Sequence, residues 1–172
     1  NEILQDCRNQ VYSMANIHEM LYSSRDISKI RVIEYVQNLI DHLKQEYQGT
    51  GPQIHFITDI DPDIILDIER CIPCGLILNE LITNAVKYAF KPGEDGEIRV
   101  TFRYQEPMYI MEVSDNGCGM PDKSVRANSS SLGTELVNRL THQIRGFITI
   151  SNETGTKITI RFHNNPAMKG TP

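Results

Sequence analysis

The sequence predicts an α+β fold, a two-layer α/β sandwich in which helices cover one face of a mixed, mainly antiparallel sheet, preceded by the remnant of a helical bundle. Three observations predict it. Before about residue 50 the apolar residues recur every three or four positions, beyond it they alternate, and the alternating runs come in pairs around turn residues with helix-period stretches between them.

Taken in order, Leu4, Cys7, Val11, Met14, His18 and Leu21 form a heptad seam, as in a helix that packs on other helices. Ser23-Ser24-Arg25-Asp26 breaks it, and Ile33, Val36, Ile40 and Leu43 mark a second amphipathic helix over about 31–48, ended by Gly49-Thr50-Gly51-Pro52. Ile54, Phe56, Thr58 and Ile60 then alternate, followed by Ile64, Leu66 and Ile68 beyond Asp61-Pro62-Asp63, which predicts two antiparallel strands. A helix over about 73–90 is expected to open on Pro73 as its first residue and to close at Lys91-Pro92-Gly93. Ile98, Val100 and Phe102 pair across Glu106-Pro107 with Tyr109, Met111 and Val113. A helix over 132–144 follows, with Gly146 as its C′ residue, and strands over 147–150 and 157–162 form a last hairpin around Thr154-Gly155. The boundaries expected are a helical segment over 1–48, a main domain over 49–163 and a tail over 164–172 without periodicity.

Composition narrows the function classes. The net charge is −5 with Lys and Arg dispersed, so no basic stripe is available for nucleic acid. Apolar stretches such as 64–66 and 76–78 fall far short of the roughly 20 residues that span a bilayer, and no membrane contact is expected from this chain. Its first residues lack the charged and apolar blocks of a secretory signal, and a start without methionine reads as a piece of a longer protein. The four cysteines are scattered, which suits reduced thiols and a cytoplasmic setting, with a parent protein that membrane anchoring would still suit. Cys71-Ile72-Pro73-Cys74 has the spacing of a dithiol redox motif at a strand-to-helix passage, a place that lowers a thiol pKa. The plainer reading is two small core residues around an N1 proline, since Cys74 shares a helix face with Ile77, Leu78 and Leu81.

Two segments carry polar groups where chemistry would need them. In Asn79-Glu-Leu-Ile-Thr-Asn-Ala-Val-Lys-Tyr88, the residues Glu80, Asn84 and Tyr88 are four apart and so share a face, beside apolar Leu78, Leu81 and Ala85. About thirty residues on, the alternating run Tyr109, Met111, Val113 ends in Asp115-Asn116-Gly117-Cys118-Gly119, a carboxylate followed by a flexible turn. One carboxamide, two carboxylates and two glycines suit a magnesium nucleotide.

Four stretches, N-E-L-I-T-N-A-V-K-Y, D-N-G-C-G-M-P, S-L-G-T-E-L-V and E-T-G-T-K-I-T-I, resemble in order the N, G1, G2 and terminal G-T boxes of the histidine kinase ATP-binding domain of the GHKL superfamily. I-H-E-M-L-Y, D-I-S-K-I, P-C-G-L-I-L-N-E-L and the compact S-L-G-T look like the HisKA type-two subgroup related to HWE kinases. The similarity runs over about 9–162. It implies a Bergerat-type ATP-binding fold, ATP and Mg²⁺ as cofactors, a response regulator receiver domain as partner, and a homodimer formed through an upstream helical hairpin.

The resemblance also implies roles. Asn84 matches the asparagine whose oxygen binds Mg²⁺, against a bland reading as a helix-surface amide. Glu80 stands where related ATPases carry a glutamate base; it would take a proton or orient the nucleophile, or serve as an outer contact of the magnesium. Lys87 and Tyr88 match a phosphate-contacting lysine and an aromatic wall, or else are surface cover. Asp115 matches the acceptor for the adenine amino group, Gly117 and Gly119 let the backbone approach the nucleotide, Met120 would pack on the base, and Thr156 would support the aspartate through water. Leu132, Gly133 and Thr134 open a helix that presents amides to phosphate, with one glycine where many kinases have Gly-x-Gly. The lid between Pro121 and Ser131 is short, about nine residues, and offers Lys123 and Arg126 as phosphate contacts.

None of the five histidines matches an acceptor motif. His18 sits on the heptad seam in a stretch that resembles the family's second helix, and His42, His55, His142 and His163 match nothing, so the acceptor is expected upstream of Asn1. The leading expectation is therefore the catalytic module of a sensor histidine kinase. The alternatives are an ATPase or anti-sigma-type serine kinase on the same fold, a nucleotide-binding pseudokinase, and a thiol oxidoreductase using Cys71 and Cys74.

Overall fold

The computed structural model of the chain describes residue 15 and residues 29–47, 52–120, 132–152 and 154–164. Within these the elements run β1 (Ile30–Arg31), α1 (Val32–Tyr47), β2 (Gln53–Ile60), β3 (Ile65–Leu66), α2 (Ile68–Tyr88), β4 (Asp95–Gln105), β5 (Met108–Asp115), α3 (Leu132–Gln143), β6 (Phe147–Ser151) and β7 (Lys157–His163). The first expected helix apart from residue 15, His18 included, the lid with Lys123 and Arg126, and the tail beyond residue 164 lie outside the described residues.

The main sheet has the order β2-β4-β5-β7-β6. Only β2 and β4 are parallel, and the other neighbours are antiparallel, so the sheet is mixed and mainly antiparallel as the alternation predicts. Alternation sorts the two faces. Ile98, Val100, Phe102, Met111, Val113, Ile158, Ile160 and Phe162 point into one core with the buried sides of α1 and α2. The opposite face carries charge: Lys157 lies 2.9 Å from Glu112 Oε1, and Thr159 Oγ1 donates to Glu112 Oε2 at 3.0 Å. This is the layered arrangement of helices on one side and solvent on the other.

Helix α1 belongs to that same core. Its apolar period places Val32, Tyr35, Val36, Leu39, Ile40 and Leu43 in the interior. Tyr35 fits over Gly75 of α2 so closely that a Cβ there would come within 1.5 Å of the Tyr35 hydroxyl oxygen. No helix among the described residues is long and apolar enough to cross a membrane.

Three local expectations need correction. Residues 54–60 and 64–68 are not a hairpin: β2 pairs in parallel with β4, while β3 pairs with β1 in a separate two-stranded sheet. The reason is Asp67, whose side chain accepts the Arg70 N–H at 2.9 Å and so caps a helix at once, leaving only Ile65 and Leu66 extended. Helix α2 then carries the chain back across the sheet, the connection a parallel pair requires. Second, α2 starts five residues before Pro73, which therefore lies inside the helix and not at its first position, and the helix ends at Tyr88 with Ala89 as C-cap. Third, α3 closes in a Schellman arrangement, with Arg145 N–H donating to His142 O and Gly146 N–H to Thr141 O. The left-handed C′ residue is Arg145 (φ 54°), and Gly146 is small instead because Arg161 O of β7 would lie 2.9 Å from its Cβ.

Candidate functional site

Helix α2 positions the first set of residues. Leu78, Leu81, Ile82, Ala85 and Val86 face the core, and this turns Glu80 and Asn84 to a half-buried flank and Lys87 and Tyr88 outward, with Tyr88 67% exposed. Glu80 and Asn84 thus share one face as their spacing predicts. Asn84 offers a hard oxygen donor, and no group of three or more His, Cys, Asp or Glu able to hold a metal exists among the described residues. Such a donor set fits a magnesium ion held mainly by phosphate and water oxygens.

The second set sits at the end of central strand β5. Asp115 is 9% exposed, and its Oδ1 accepts the N–H of Gly117 at 3.0 Å and the N–H of Thr156 at 3.2 Å. Its own N–H donates to Thr156 O at 2.9 Å, so β5 and the start of β7 grip this carboxylate by main chain as well as side chain. Both side-chain bonds of Asp115 among the described residues use Oδ1. Thr156 acts on Asp115 through its backbone here.

The glycines of the turn answer to sterics. A Cβ on Gly117 would lie 2.2 Å from Ala89 O, and one on Gly155 would lie 2.0 Å from Asp115 O, where φ is +85°. Cys118 N–H donates to Ala89 O at 2.9 Å, and its Sγ approaches Tyr88 O at 3.4 Å. The turn is thereby tied to the C-terminal end of α2. Because a helix rises about 1.5 Å per residue, Glu80 lies roughly 12 Å along α2 from this junction and Asn84 about half as far. The structure therefore brings the aspartate turn to one end of the Glu80–Asn84–Tyr88 face.

Two residues of this junction escaped the sequence reading. Asn152, at the end of β6, accepts the Met120 N–H at 2.8 Å and donates to Met120 O at 2.9 Å, a two-point clamp on the chain leaving the turn. Asn116 Oδ1 accepts the Glu97 N–H at 2.8 Å and fastens the turn to β4. The only sequence signal for either was an Asn in a turn-forming stretch, which is common. Leu132, Gly133 and Thr134 form the first turn of α3, whose N–H groups lack intrahelical acceptors, and Leu132 is 49% exposed. Helix α3 packs on α2 and on β6.

Cys71 and Cys74 are free and buried inside α2. Burial, reinforced by nearby Asp67, pushes the Cys71 thiol up to about 12, and burial holds Cys74 well above its ordinary value. Dithiol chemistry needs the opposite shift. These are core residues, as the plainer reading has it, although Pro73 between them is not an N1 proline.

Comparison with known proteins adds the family. The model described as "Histidine kinase-, DNA gyrase B-, and HSP90-like ATPase" matches residues 72–166, and that described as "Histidine kinase" of the HisKA_2 type matches residues 1–47. The sensor histidine kinase PdtaS of Mycobacterium tuberculosis is 24% identical over 93% of this chain and 32% of its own length, so the chain spans about a third of that relative. Serine-protein kinase RsbW of Listeria innocua is 50% identical over 42 residues, 24% of this chain and 27% of that protein. Among solved structures, the histidine kinase domain of the Erythrobacter litoralis EL346 blue-light activated histidine kinase superposes with a TM-score of 0.76 at 18% identity, covering 90% of this chain and 74% of that one. The Acinetobacter baumannii histidine kinase AdeS gives 0.68 at 17% identity, covering 95% and 80%. At such identities the likeness is one of fold. With the ATPase family model matched over more than half of the chain, the chain belongs to the histidine kinase-, DNA gyrase B- and HSP90-like ATPase family.

Proposed function

We propose that this domain binds Mg-ATP across the α2 face and the Asp115 turn and transfers the γ-phosphoryl group to a histidine, from which a response regulator aspartate takes it. The observation that carries this reading is the Asp115 carboxylate, buried at the end of β5 and held through Oδ1 by Gly117 and Thr156, at one end of the Glu80–Asn84 face. An acceptor fixed at that depth suits the adenine amino group, with Gly117 and Gly119 giving the base room and Tyr88 beside it. The phosphates then run back along α2 toward Asn84 and Glu80, with Lys87 and the first-turn amides of Leu132, Gly133 and Thr134 as further contacts. Asn84 would hold Mg²⁺, which when bound neutralises charge on the phosphate oxygens. Glu80 would accept a proton or orient the nucleophile. None of the five histidines stands in an acceptor motif, so we place the acceptor upstream of Asn1, on a helical hairpin that also forms the homodimer. ATP and the receiver domain place the work in the cytoplasm, whether or not the parent protein is anchored in a membrane.

The local RsbW match supports a second reading, transfer to a serine. One experiment separates the two. The chain is mixed with Mg-ATP and an N-terminal hairpin fragment of the parent protein, and acid-labile phosphohistidine is the result expected. Acid-stable phosphoserine would overturn the first reading, and ATP binding without any transfer would favour a nucleotide-binding switch.

A further inference from the structure

We propose that Asn152 is a positioning residue for nucleotide binding: from beyond the end of β6 its carboxamide holds both main-chain groups of Met120, and together with Thr156 it fixes the two ends of the turn that carries Asp115. The inference rests on the reading of Asp115 given above. It adds the side chain that keeps the turn in shape.

The register of the last hairpin puts the two holding residues side by side. Ser151 of β6 pairs with Lys157 of β7, so Asn152 directly follows that pair on one arm and Thr156 directly precedes it on the other. Thr156 takes the first end of the turn, its N–H donating to Asp115 Oδ1 at 3.2 Å and its carbonyl accepting the Asp115 N–H at 2.9 Å. Asn152 takes the second end. Its Oδ1 accepts the Met120 N–H at 2.8 Å, and its Nδ2 donates to Met120 O at 2.9 Å. A carboxamide carries one acceptor and two donors, so it can satisfy the N–H and the C=O of one residue together, which neither a carboxylate nor an apolar side chain can do. An asparagine beside a hairpin turn commonly spends its side chain on that turn, whereas this one reaches 32 residues back along the chain. Gly119 makes room for it: its φ is +73°, and a Cβ there would lie 2.6 Å from Asn152 Oδ1. Between the two ends, Asn116 Oδ1 accepts the Glu97 N–H and the Cys118 N–H donates to Ala89 O. The clamp is exposed, so water can replace its bonds and its worth to overall stability is small. What it governs is the path of Gly119 and Met120, the backbone next to Asp115 that the base would face. A turn held at both ends is already ordered before the nucleotide arrives, which removes an ordering cost from binding.

The test uses the full chain with Mg-ATP and with Mg-inosine triphosphate, which has an oxygen where adenine has its amino group. By calorimetry, Asn152→Ala should weaken ATP binding about tenfold and inosine triphosphate binding about twofold or less, because the second nucleotide lacks the bond that the held turn positions. Asn152→Asp keeps the acceptor and loses the donor, so it should bind ATP no better than Asn152→Ala. Both variants should melt within about 2 °C of wild type, as expected for an exposed side chain. A much larger drop would make Asn152 a structural tie and overturn the proposal. Equal losses for the two nucleotides, or full ATP affinity in Asn152→Ala beside a weakened Asp115→Asn, would overturn it while leaving the reading of Asp115 intact. Full affinity in Asn152→Asp would show that the donor is idle and would overturn the two-point hold. Full affinity in Asp115→Asn removes the reading of that carboxylate, and the positioning role falls with it.

Discussion

Asp115 is pinned by two main-chain N–H groups on one oxygen, so replacing its other oxygen changes what the pocket offers without loosening the turn. In Asp115→Asn the amide oxygen can keep both of those bonds, while on the reading proposed above the amide nitrogen would meet the adenine as a donor where an acceptor is needed. A lost hydrogen bond to a charged group is worth about 1.5–3 kcal/mol, so ATP affinity should fall about ten- to a hundredfold by calorimetry, with thermal stability little altered. Unchanged affinity would remove Asp115 from the site. The cysteines give a second prediction. Iodoacetamide at pH 8 should label exposed Cys118 in the native protein and spare Cys71 and Cys74 until urea is added, because burial raises both buried thiols far above that pH. Peptide mass mapping reads the result, and native labelling of Cys71 would contradict the packed core. Asp115 and its glycines were legible in the sequence because a strand-end carboxylate before two glycines is a local pattern. Asn152 was not, since its two bonds reach Met120, 32 residues away, and nothing in the residues around it marks that partner.

At the scale of elements, α2 decides the topology, and Asp67 decides where α2 begins. Its carboxylate accepts the Arg70 N–H at 2.9 Å and pairs with the Arg70 guanidinium at 2.7 Å. Asp67→Ala should cost about 1 kcal/mol in urea unfolding at pH 7, the usual value of an N-cap. The pH dependence has a definite sign. Partial burial pushes the Asp67 carboxyl up, but the bonds from Arg70 outweigh it and leave the folded value below the ordinary 3.8. A depressed carboxyl adds stability above its unfolded value and loses it as pH falls through the folded one, so the gap between wild type and Asp67→Ala should narrow below pH 3.8. A gap that widens there would contradict the assignment. Proline favours the first helical position, which points to a helix start at Pro73, yet here it lies inside α2 at the cost of one intrahelical hydrogen bond, and the Asp67 cap sets the start instead. The Asp67 cap was the stronger signal, and reading residues 64–68 as a strand concealed it. The hairpins β4–β5 and β6–β7 were legible because short turns between alternating runs leave little choice of partner. The β2–β4 pairing was not, because its partners lie about 42 residues apart in register, for example Gln53 with Asp95, and depend on where α2 lands.

For the molecule as a whole, the change of period near residue 50 marks where helix gives way to strand, whereas the hydrophobic core extends back through α1 to Ile30. Six side chains of α1 are buried: Val32, Tyr35, Val36, Leu39, Ile40 and Leu43. At about 1.5–3 kcal/mol for each large apolar side chain, their removal from the core forfeits on the order of 10 kcal/mol. A domain of this size has a total stability of only about 5–15 kcal/mol, so the lost burial is comparable with the whole. It would also uncover Gly75 of α2, over which Tyr35 packs. A fragment over 48–172 should therefore bind a hydrophobic dye, show no cooperative melting transition and bind ATP poorly, although every nucleotide box is present in it. A fragment over 29–172 keeps Ile30, β1 and all of α1, and so should melt cooperatively and bind ATP like the full chain. Cooperative melting of the shorter fragment within a few degrees of the longer one would show that α1 is an appendage. Its failure, with the longer fragment intact, would make the helix in front of the catalytic boxes a structural part of the unit that holds ATP. Any movement of the helical segment before it would then act directly on the core beneath Glu80 and Asn84.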